Sequence, residues 1–374
     1  MPCTVSETKT ASAVNKLINR DKSKIKWTTD IQSDLVKGKK YHIQDNDVVI
    51  SIYRPFSKSW VYANSSWNWT RHLIPKYFPT PSLDNRVICV TGMGETVGFS
   101  ALIVNYIPNL HTIASGQCFP LKLYEKILEQ DESIQVDGVQ DIFAKSQPNE
   151  SKICHRKYTV KDGITNEGLA HFQTTYPTET ITKEDVFYYI YGLLHSEDYR
   201  TRYADNLSKE LPHIPCVKKV SDFWAFSKAG RNLAELHINY ESVAPYPVNF
   251  AGGDLFMGSF NDKDCRVEQM KFGKKGKETD KTTVIYNHKI TMTNIPLEAY
   301  DYVVNGKPAL EWVMERQAVT THKDSGIVND ANLWAIDTMK DAAYPLKLFQ
   351  RVITVSLETM KIVRAVPRLD IAVK

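Results

Sequence analysis

A chain of 374 residues has room for two or three ordinary domains, or for one large module with several lobes. With 42% hydrophobic and 24% charged residues it can bury a core of normal size, which excludes global disorder. The net charge of +4 excludes a histone-like density of lysine, so any surface for an anionic partner must be local.

The start, MPCTVSETKT, lacks the apolar core of a signal peptide, and no run approaches the ~20 apolar residues that cross a bilayer. The six cysteines have no C-x-x-C spacing, and Cys154-His155 has no second pair at zinc-ligand distance. The expectation is a cytoplasmic protein with reduced thiols and no metal site.

Residues 1–48 are polar and weakly patterned and read as a lead-in from a preceding domain. Residues 49–178 read as a β-rich lobe. Its short runs DVVISIYRPF, SWVYANSSW, NRVICVTG, FSALIVNYI and LHTIAS are separated by Asn64-Ser65, Pro79 to Pro81, the glycines from 92 to 98 and Pro108-Asn109. The tail of that lobe, 130–178, is polar and aperiodic, a linker or long excursion.

Residues 179–245 predict a helical spacer. Thr182 and Asp185 form a capping-box pattern ahead of Val186, Phe187, Ile190, Leu193 and Leu194 on one face. Ser196 is positioned to cap a second helix ending before Pro212, and Ser221 to cap a third through DFWAFSKAGRNLAELHINY. Residues 246–330 return to alternation in RVEQMKF and TTVIYNHKITMTNIP, a second β lobe. Residues 331–374 close with helices: Pro345 suits a first turn, and Phe349, Val352, Ile353, Leu357, Met360 and Val363 form a stripe. The fold class is therefore α+β.

The segment RVICVTGMGETVGFSAL imitates a dinucleotide turn, with Gly92, Gly94 and Gly98 after a strand. A pyrophosphate needs a helix N-terminus behind the glycines, and a ribose needs an acid about 20 residues on. FSALIVNYIPNLHTIA reads instead as strands, and 108–120 has no acid, so a hairpin loop is expected. No P-loop lysine, G-x-S-x-G elbow, H-E-x-x-H helix, N-P-P-Y or D-P-P-Y loop, helicase motif or nuclease motif occurs. Glu184-Asp185 and Glu197-Asp198 sit at helix starts, where they favour the helix dipole. His171, His195 and His237 read as packing or capping residues. No catalytic residue and no cofactor is expected.

Binding chemistry remains. Lys271, Lys274, Lys275, Lys277 and Lys281 surround a glycine-containing turn between two strands, where backbone and lysines can meet phosphates. The same run also suits a solvated hairpin tip. WNWTRH brings Trp67, Trp69, Arg71 and His72 together, mixing π faces with cations as nucleic-acid surfaces do, or as a core-edge aromatic cluster does.

Longer stretches then resemble one family. SIYRPFSKSWVY, CFPLKLYE, ITKEDVFYYIYGLLHSEDYRTRYADNLSKELPHIP and DFWAFSKAGRNLAELHINYE occur in the order found in the C-terminal specificity domain of Type ISP restriction-modification enzymes. RVEQMKF, IYNHKITMTNIPLEAYDYVVNGKPALEWVMERQ, SGIVNDAN and LFQRVITVSLETMKIV continue that order, and the resemblance covers roughly 25–370. It implies a target recognition domain that binds double-stranded DNA and positions an adenine. The N6-adenine methyltransferase and the translocase-nuclease would lie elsewhere in the parent polypeptide, which agrees with the missing N-P-P-Y loop. His322 stands where the family pattern has an acid before Lys323. Members read different sequences, so the base readers are expected in unfamiliar stretches: PYPVNFAGGDLFMGSFNDKDC and the glycine loop. Two other readings stay open, a small nucleotide-binding enzyme using residues 92–98 and a protein-interaction module or remnant that does not bind DNA.

Overall fold

The computed structural model describes residues 10–21, 23–24, 27–68, 71–127, 157–252 and 255–371. Two short helices come first, α1 (Ala11–Leu17) and α2 (Thr29–Val36), with Thr10 and Thr28 accepting from the first-turn amides. Strands β1 (Val48–Arg54) and β2 (Ser57–Tyr62) form an antiparallel hairpin. Its turn is Pro55-Phe56. Proline fixes φ at the first position, and Phe56 takes φ 55° at the second. A non-glycine residue holds this left-handed backbone because its ring is anchored in the core, edge-on to Tyr240 at 5.3 Å and Tyr302 at 6.3 Å.

After the short helix α3 (Ile74–Tyr77) come β3 (Val87–Val90), β4 (Ala101–Val104), β5 (Ile107–Pro108) and β6 (Gln117–Pro120). β5 lies parallel to β1, while β4-β3-β6 form an antiparallel sheet. The glycine segment 92–98 thus joins two antiparallel strands, as the strand-like FSALIVNYI predicts. LHTIAS is not a strand. Its polar groups bond singly to a strand and a turn: the Thr112 hydroxyl donates to the Ile52 carbonyl of β1 at 2.6 Å, and the Ala114 amide donates to Asn305 Oδ1 at 2.8 Å. β7 (Lys122–Lys126) pairs with β8 (Tyr158–Asp162), and α4 (Asn166–Thr175) follows. The end of the predicted linker is therefore ordered structure, and residues 128–156 lie outside the described residues.

The capping box of Thr182 and Asp185 opens α5 (Lys183–His195), and Ser196 caps α6 (Glu197–Arg202), followed by α7 (Ala204–Leu207). Helix α8 (Val220–Ile238) starts one residue before its predicted cap. Ser221 lies inside it, its hydroxyl directed to the Asp222 carboxylate, so it cannot serve the first-turn amides. Helices α5 and α8 touch backbone to backbone at Gly192 and Gly230. A Cβ at Gly192 would fall 2.1 Å from the Phe226 carbonyl oxygen.

The abundant tyrosines are largely core. Tyr176, Tyr189 and Tyr199 donate their hydroxyls to the carbonyls of Val217, Pro215 and His213 at 2.5, 2.6 and 2.7 Å, pinning one irregular segment to three helices. His237 is buried between the Tyr191 hydroxyl (2.6 Å) and the Thr359 hydroxyl (2.9 Å), stacked on Tyr302 at 5.2 Å. Burial holds its pKa down to about 3, and burial together with the neighbouring Arg200 and His237 holds His195 well below the usual histidine range. Both are packing residues, as the sequence predicts.

β9 (Asn249–Phe250), β10 (Lys271–Lys275), β11 (Glu278–Ile285) and β12 (Thr291–Thr293) make a sheet in the order β10-β11-β12-β9. Of the predicted strand RVEQMKF only the last two residues join it. Val267 instead donates its amide to Asn332 Oδ1, and the Glu268 carbonyl accepts from Val319. The hairpin β13 (Val303–Val304) and β14 (Lys307–Pro308) leads into α9 (Ala309–Arg316). A second hairpin, β15 (Val319–Thr321) and β16 (Val328–Asp330), precedes α10 (Ala331–Leu333) and a π-helical turn over Trp334–Thr338. The closing helix is α11 (Tyr344–Ala365), with Pro345 in its first turn and the predicted stripe buried or half-buried.

Two hydrophobic clusters organise these elements, and the β3-β4 pair belongs to both. Val87, Cys89, Leu102 and Val104 face a cluster built with residues 240–355. Ile88, Val90, Ala101 and Ile103 face the helical cluster of α4, α5 and α8. Alternation with period two places adjacent residues on opposite faces, so one apolar run serves two cores. The architecture is α+β.

Candidate nucleic-acid interface

The lysine run lies on the β10-β11 hairpin. Lys275 faces Glu278 across the ladder, so the loop is Gly276-Lys277, two residues long. Gly276 has φ +66°, and Lys277 is not in the left-handed region, as a type II′ turn requires. Gly273 is opposite Asp280, but Phe272 is opposite Val284, so three residues of β11 bulge out. The Asp280 carboxylate holds the bulge. It accepts from the Thr282 amide at 3.0 Å, the Thr282 hydroxyl at 2.6 Å and the Thr283 hydroxyl at 3.0 Å, and these bonds lower its pKa.

The five lysines are not equivalent. Lys281 pairs with Glu311 of α9 at 2.9 Å and lies over the rings of Phe272 and Tyr300. Lys275 reaches Asp280 at 3.6 Å while remaining exposed. Among the described residues, no acid lies within ion-pair distance of Lys271, Lys274 or Lys277, all exposed. The hairpin therefore presents three uncompensated cations beside a tight turn.

The WNWTRH group is divided. Arg71 and His72 line a cleft of about 1150 Å³ between the β1-β2 hairpin and the segment 71–84, with Asn68, Asn105 and Gln117 also on its wall. Arg71 donates to the Ala63 carbonyl at 3.4 Å, and His72 is exposed at φ 45°. Trp67 turns instead toward Tyr41, ring centroids 5.0 Å apart. Burial and the Asp34 carboxylate push that tyrosine's pKa up to about 12. Trp69 lies outside the described residues.

Of the two stretches expected to read bases, 92–98 is a mostly exposed loop, while 245–265 contains strand β9 and buries Val248, Phe250 and Cys265 between exposed residues. Met93 and Val97 protrude from the glycine loop, and Leu255 and Phe256 from 245–265. His322 sits in the exposed tip between β15 and β16, its Nδ1 3.1 Å from the Ser325 hydroxyl. Among the described residues, no three His, Cys, Asp or Glu side chains converge on a metal-sized site. No described helix is long and apolar enough to cross a membrane.

A further set of cations was not visible in the sequence. Arg54 Cζ is 4.2 Å and Arg316 Cζ 5.8 Å from the Tyr53 ring, while Arg316 and Lys307 lie 5.9 and 4.2 Å from the Trp312 ring. Glu315 is the one acid that pairs with these cations among the described residues, holding Lys307 and Arg316. The only sequence signal was the Y-R-P-F segment itself, which gave no hint of the partners about 260 residues away.

Against known proteins, three solved structures align over nearly all of this chain. The nuclease-deletion mutant of the Type ISP restriction-modification enzyme LlaGI, in complex with a DNA substrate mimic, matches with TM-score 0.74 and 29% identity over 99% of this chain and 29% of its own. The ATP-dependent Type ISP restriction-modification enzyme LlaBIII bound to DNA matches with TM-score 0.76 and 29% identity, over 97% of this chain and 22% of its own. The DrdV-DNA complex matches with TM-score 0.76 and 28% identity, over 97% of this chain and 32% of its own. The chain spans less than a third of the length of these relatives. A comparison with curated protein sequences gave no match. The model of the Type ISP C-terminal specificity domain matches residues 3–348, and the chain belongs to that family.

Proposed function

We propose that this chain is the target recognition domain of a restriction-modification enzyme: it binds double-stranded DNA sequence-specifically and contributes no chemistry of its own. The observation that carries the reading is that nearly the whole chain aligns with enzymes solved on DNA, while only a small part of each of those enzymes is matched. A methyltransferase and a translocase-nuclease in the same polypeptide, acting in the cytoplasm, are the partners this reading requires. The unpaired Lys271, Lys274 and Lys277 support it by offering charge to phosphates. Arg71 and His72 at the cleft wall offer a second, weaker contact. Exposed side chains in 92–98 and 245–265, Met93, Val97, Leu255 and Phe256 among them, support it as candidates for contact with base edges.

Selection from random duplexes with the purified chain, followed by binding titrations over a range of salt, tests this. One enriched sequence, bound at least about 10³-fold more tightly than others, is expected. Salt-independent behaviour with no enriched sequence would favour the interaction-module reading. Methyl transfer to DNA by this chain alone would refute the absence of chemistry.

A further inference from the structure

The cations around Tyr53 and Trp312 form a ladder in which charge and ring alternate: Arg54, Tyr53, Arg316, Trp312, Lys307. Three positive charges meet one carboxylate, Glu315, and that carboxylate is taken by Lys307 and Arg316. Arg54 has no acid partner among the described residues. Its hydrogen bonds run through Nη1 alone, to the Tyr53 carbonyl at 2.7 Å and Asn109 Oδ1 at 3.2 Å, so its remaining N–H groups are uncommitted among the described residues. Arg316 Nε is buried without a hydrogen-bond partner. Burial disfavours the Arg54 cation, and the like charge of Arg316 adds to this, outweighing the favourable influence of Tyr53 and Glu315. A half-buried pair of guanidiniums with too few anions is costly unless an anion arrives. Arginine stacked on an aromatic face keeps its N–H edge free to form the planar, two-pronged contact that phosphate oxygens accept.

The position matters as much as the charge. Glu315 lies one helical turn beyond Glu311 on the same face of α9. Glu311 holds Lys281 of the lysine hairpin. The hairpin and the ladder are therefore neighbours along a single helix edge. Behind the ladder, the β13-β14 turn touches the glycine loop, with Gly306 against Val97. Asn109, which positions Arg54, begins the exposed loop carrying Leu110 and His111.

We propose that Arg54, Arg316 and Lys307 form a phosphate-binding edge that grips the DNA backbone beside the lysine hairpin. This rests on the DNA-recognition reading above. Tyr53 and Trp312 hold the cations flat, Asn109 sets the azimuth of Arg54, and Glu315 keeps Lys307 and Arg316 from collapsing onto other acids. The edge adds affinity and orientation on every duplex and carries no base preference.

The test is a salt titration of duplex binding by the full 374-residue chain, comparing wild type with R54Q/R316Q. Two lost phosphate contacts should flatten the slope of log affinity against log salt by about two units, weaken every duplex alike and leave sequence preference unchanged. R54K/R316K, which keeps the charge, should restore most of the slope. K219Q/K228Q removes the same charge from exposed lysines of the helical cluster and should leave the slope nearly unchanged. If R54Q/R316Q fails to fold, judged by near-ultraviolet circular dichroism, R54Q alone should flatten the slope by about one unit. A folded variant with unchanged slope overturns the edge and leaves the DNA reading standing. Equal flattening in K219Q/K228Q overturns it too, because net charge then explains the effect. A variant that loses ATP or inorganic phosphate binding while duplex binding is intact places a free-anion site there instead. A wild-type chain with no duplex affinity at any salt overturns both readings together.

Discussion

Gly230 of α8 and Tyr188 of α5 touch through their backbones: a Cβ on Gly230 would lie 1.8 Å from the Tyr188 carbonyl oxygen. No rotamer relieves such a clash, because both atoms belong to main chains of packed helices. Gly230→Ala should therefore cost about 3 kcal/mol or more, the upper end of overpacking. Gly168→Ala is the contrast. It sits in α4 with ordinary contacts at 3.4 Å or beyond, and should stabilise by about 0.5–1 kcal/mol through helix propensity. Urea unfolding of the two variants checks the pair. Equal effects would mean that the helices can part freely.

Stability should fall in mild acid. His237 and His195 are buried neutral, with pKa values depressed in the folded state, His237 to about 3 from 6.5. Above pH 6.5 neither state takes up a proton there and nothing is lost. Below it the unfolded chain binds protons that the folded chain refuses, so stability drops by about 1.4 kcal/mol per pH unit for each histidine. Between pH 7.5 and 5.0 His237 should remove roughly 2 kcal/mol, with His195 acting in the same direction, read as a falling urea midpoint. His237→Gln should lose the roughly 2 kcal/mol that His237 contributes to this dependence. A midpoint that does not move with pH would show that these histidines titrate normally.

The lysines of the hairpin should separate by role. K271A/K274A/K277A removes three exposed cations without acid partners among the described residues, and should flatten the salt slope of DNA binding by about two to three units without changing sequence preference. Lys281→Ala breaks the pair with Glu311 and should change that slope little, while lowering the melting temperature slightly. If the triple variant binds as wild type does, the hairpin is a solvated tip.

Tyr189→Phe keeps the ring in the core and removes the hydroxyl that donates to the Pro215 carbonyl. A carbonyl left without its donor costs about 1–2 kcal/mol, and protection from hydrogen exchange should fall first around residues 213–217. Unchanged exchange there would mean that the tyrosine contributes bulk alone.

Local rules made some elements legible in the sequence. The Thr182–Asp185 box marks the start of α5, Pro345 and its stripe mark α11, and the strand-like run after Gly98 identifies the glycine segment as a hairpin loop. Each depends on neighbours within a few positions. RVEQM failed as a strand because alternation describes a face and cannot say whether a ladder partner exists; Asn332, 65 residues on, takes the amide instead. The candidate interface shows the same limit. Five lysines look alike in a string of letters, yet Glu311 neutralises Lys281 and leaves Lys274 bare. The Arg54–Arg316 ladder depends wholly on chain crossings, so no spacing rule could have found it.

The β3-β4 pair, apolar on both faces, is a party wall. Tenants on either side can redecorate their loops, but neither can be moved out alone, because the wall would then stand bare to water over four buried side chains on that face. Recombination that exchanges the helical half for one from a distant relative should therefore yield insoluble chains unless the wall travels with it. Exchange of the surface loops, which leaves both rooms furnished, should yield folded ones.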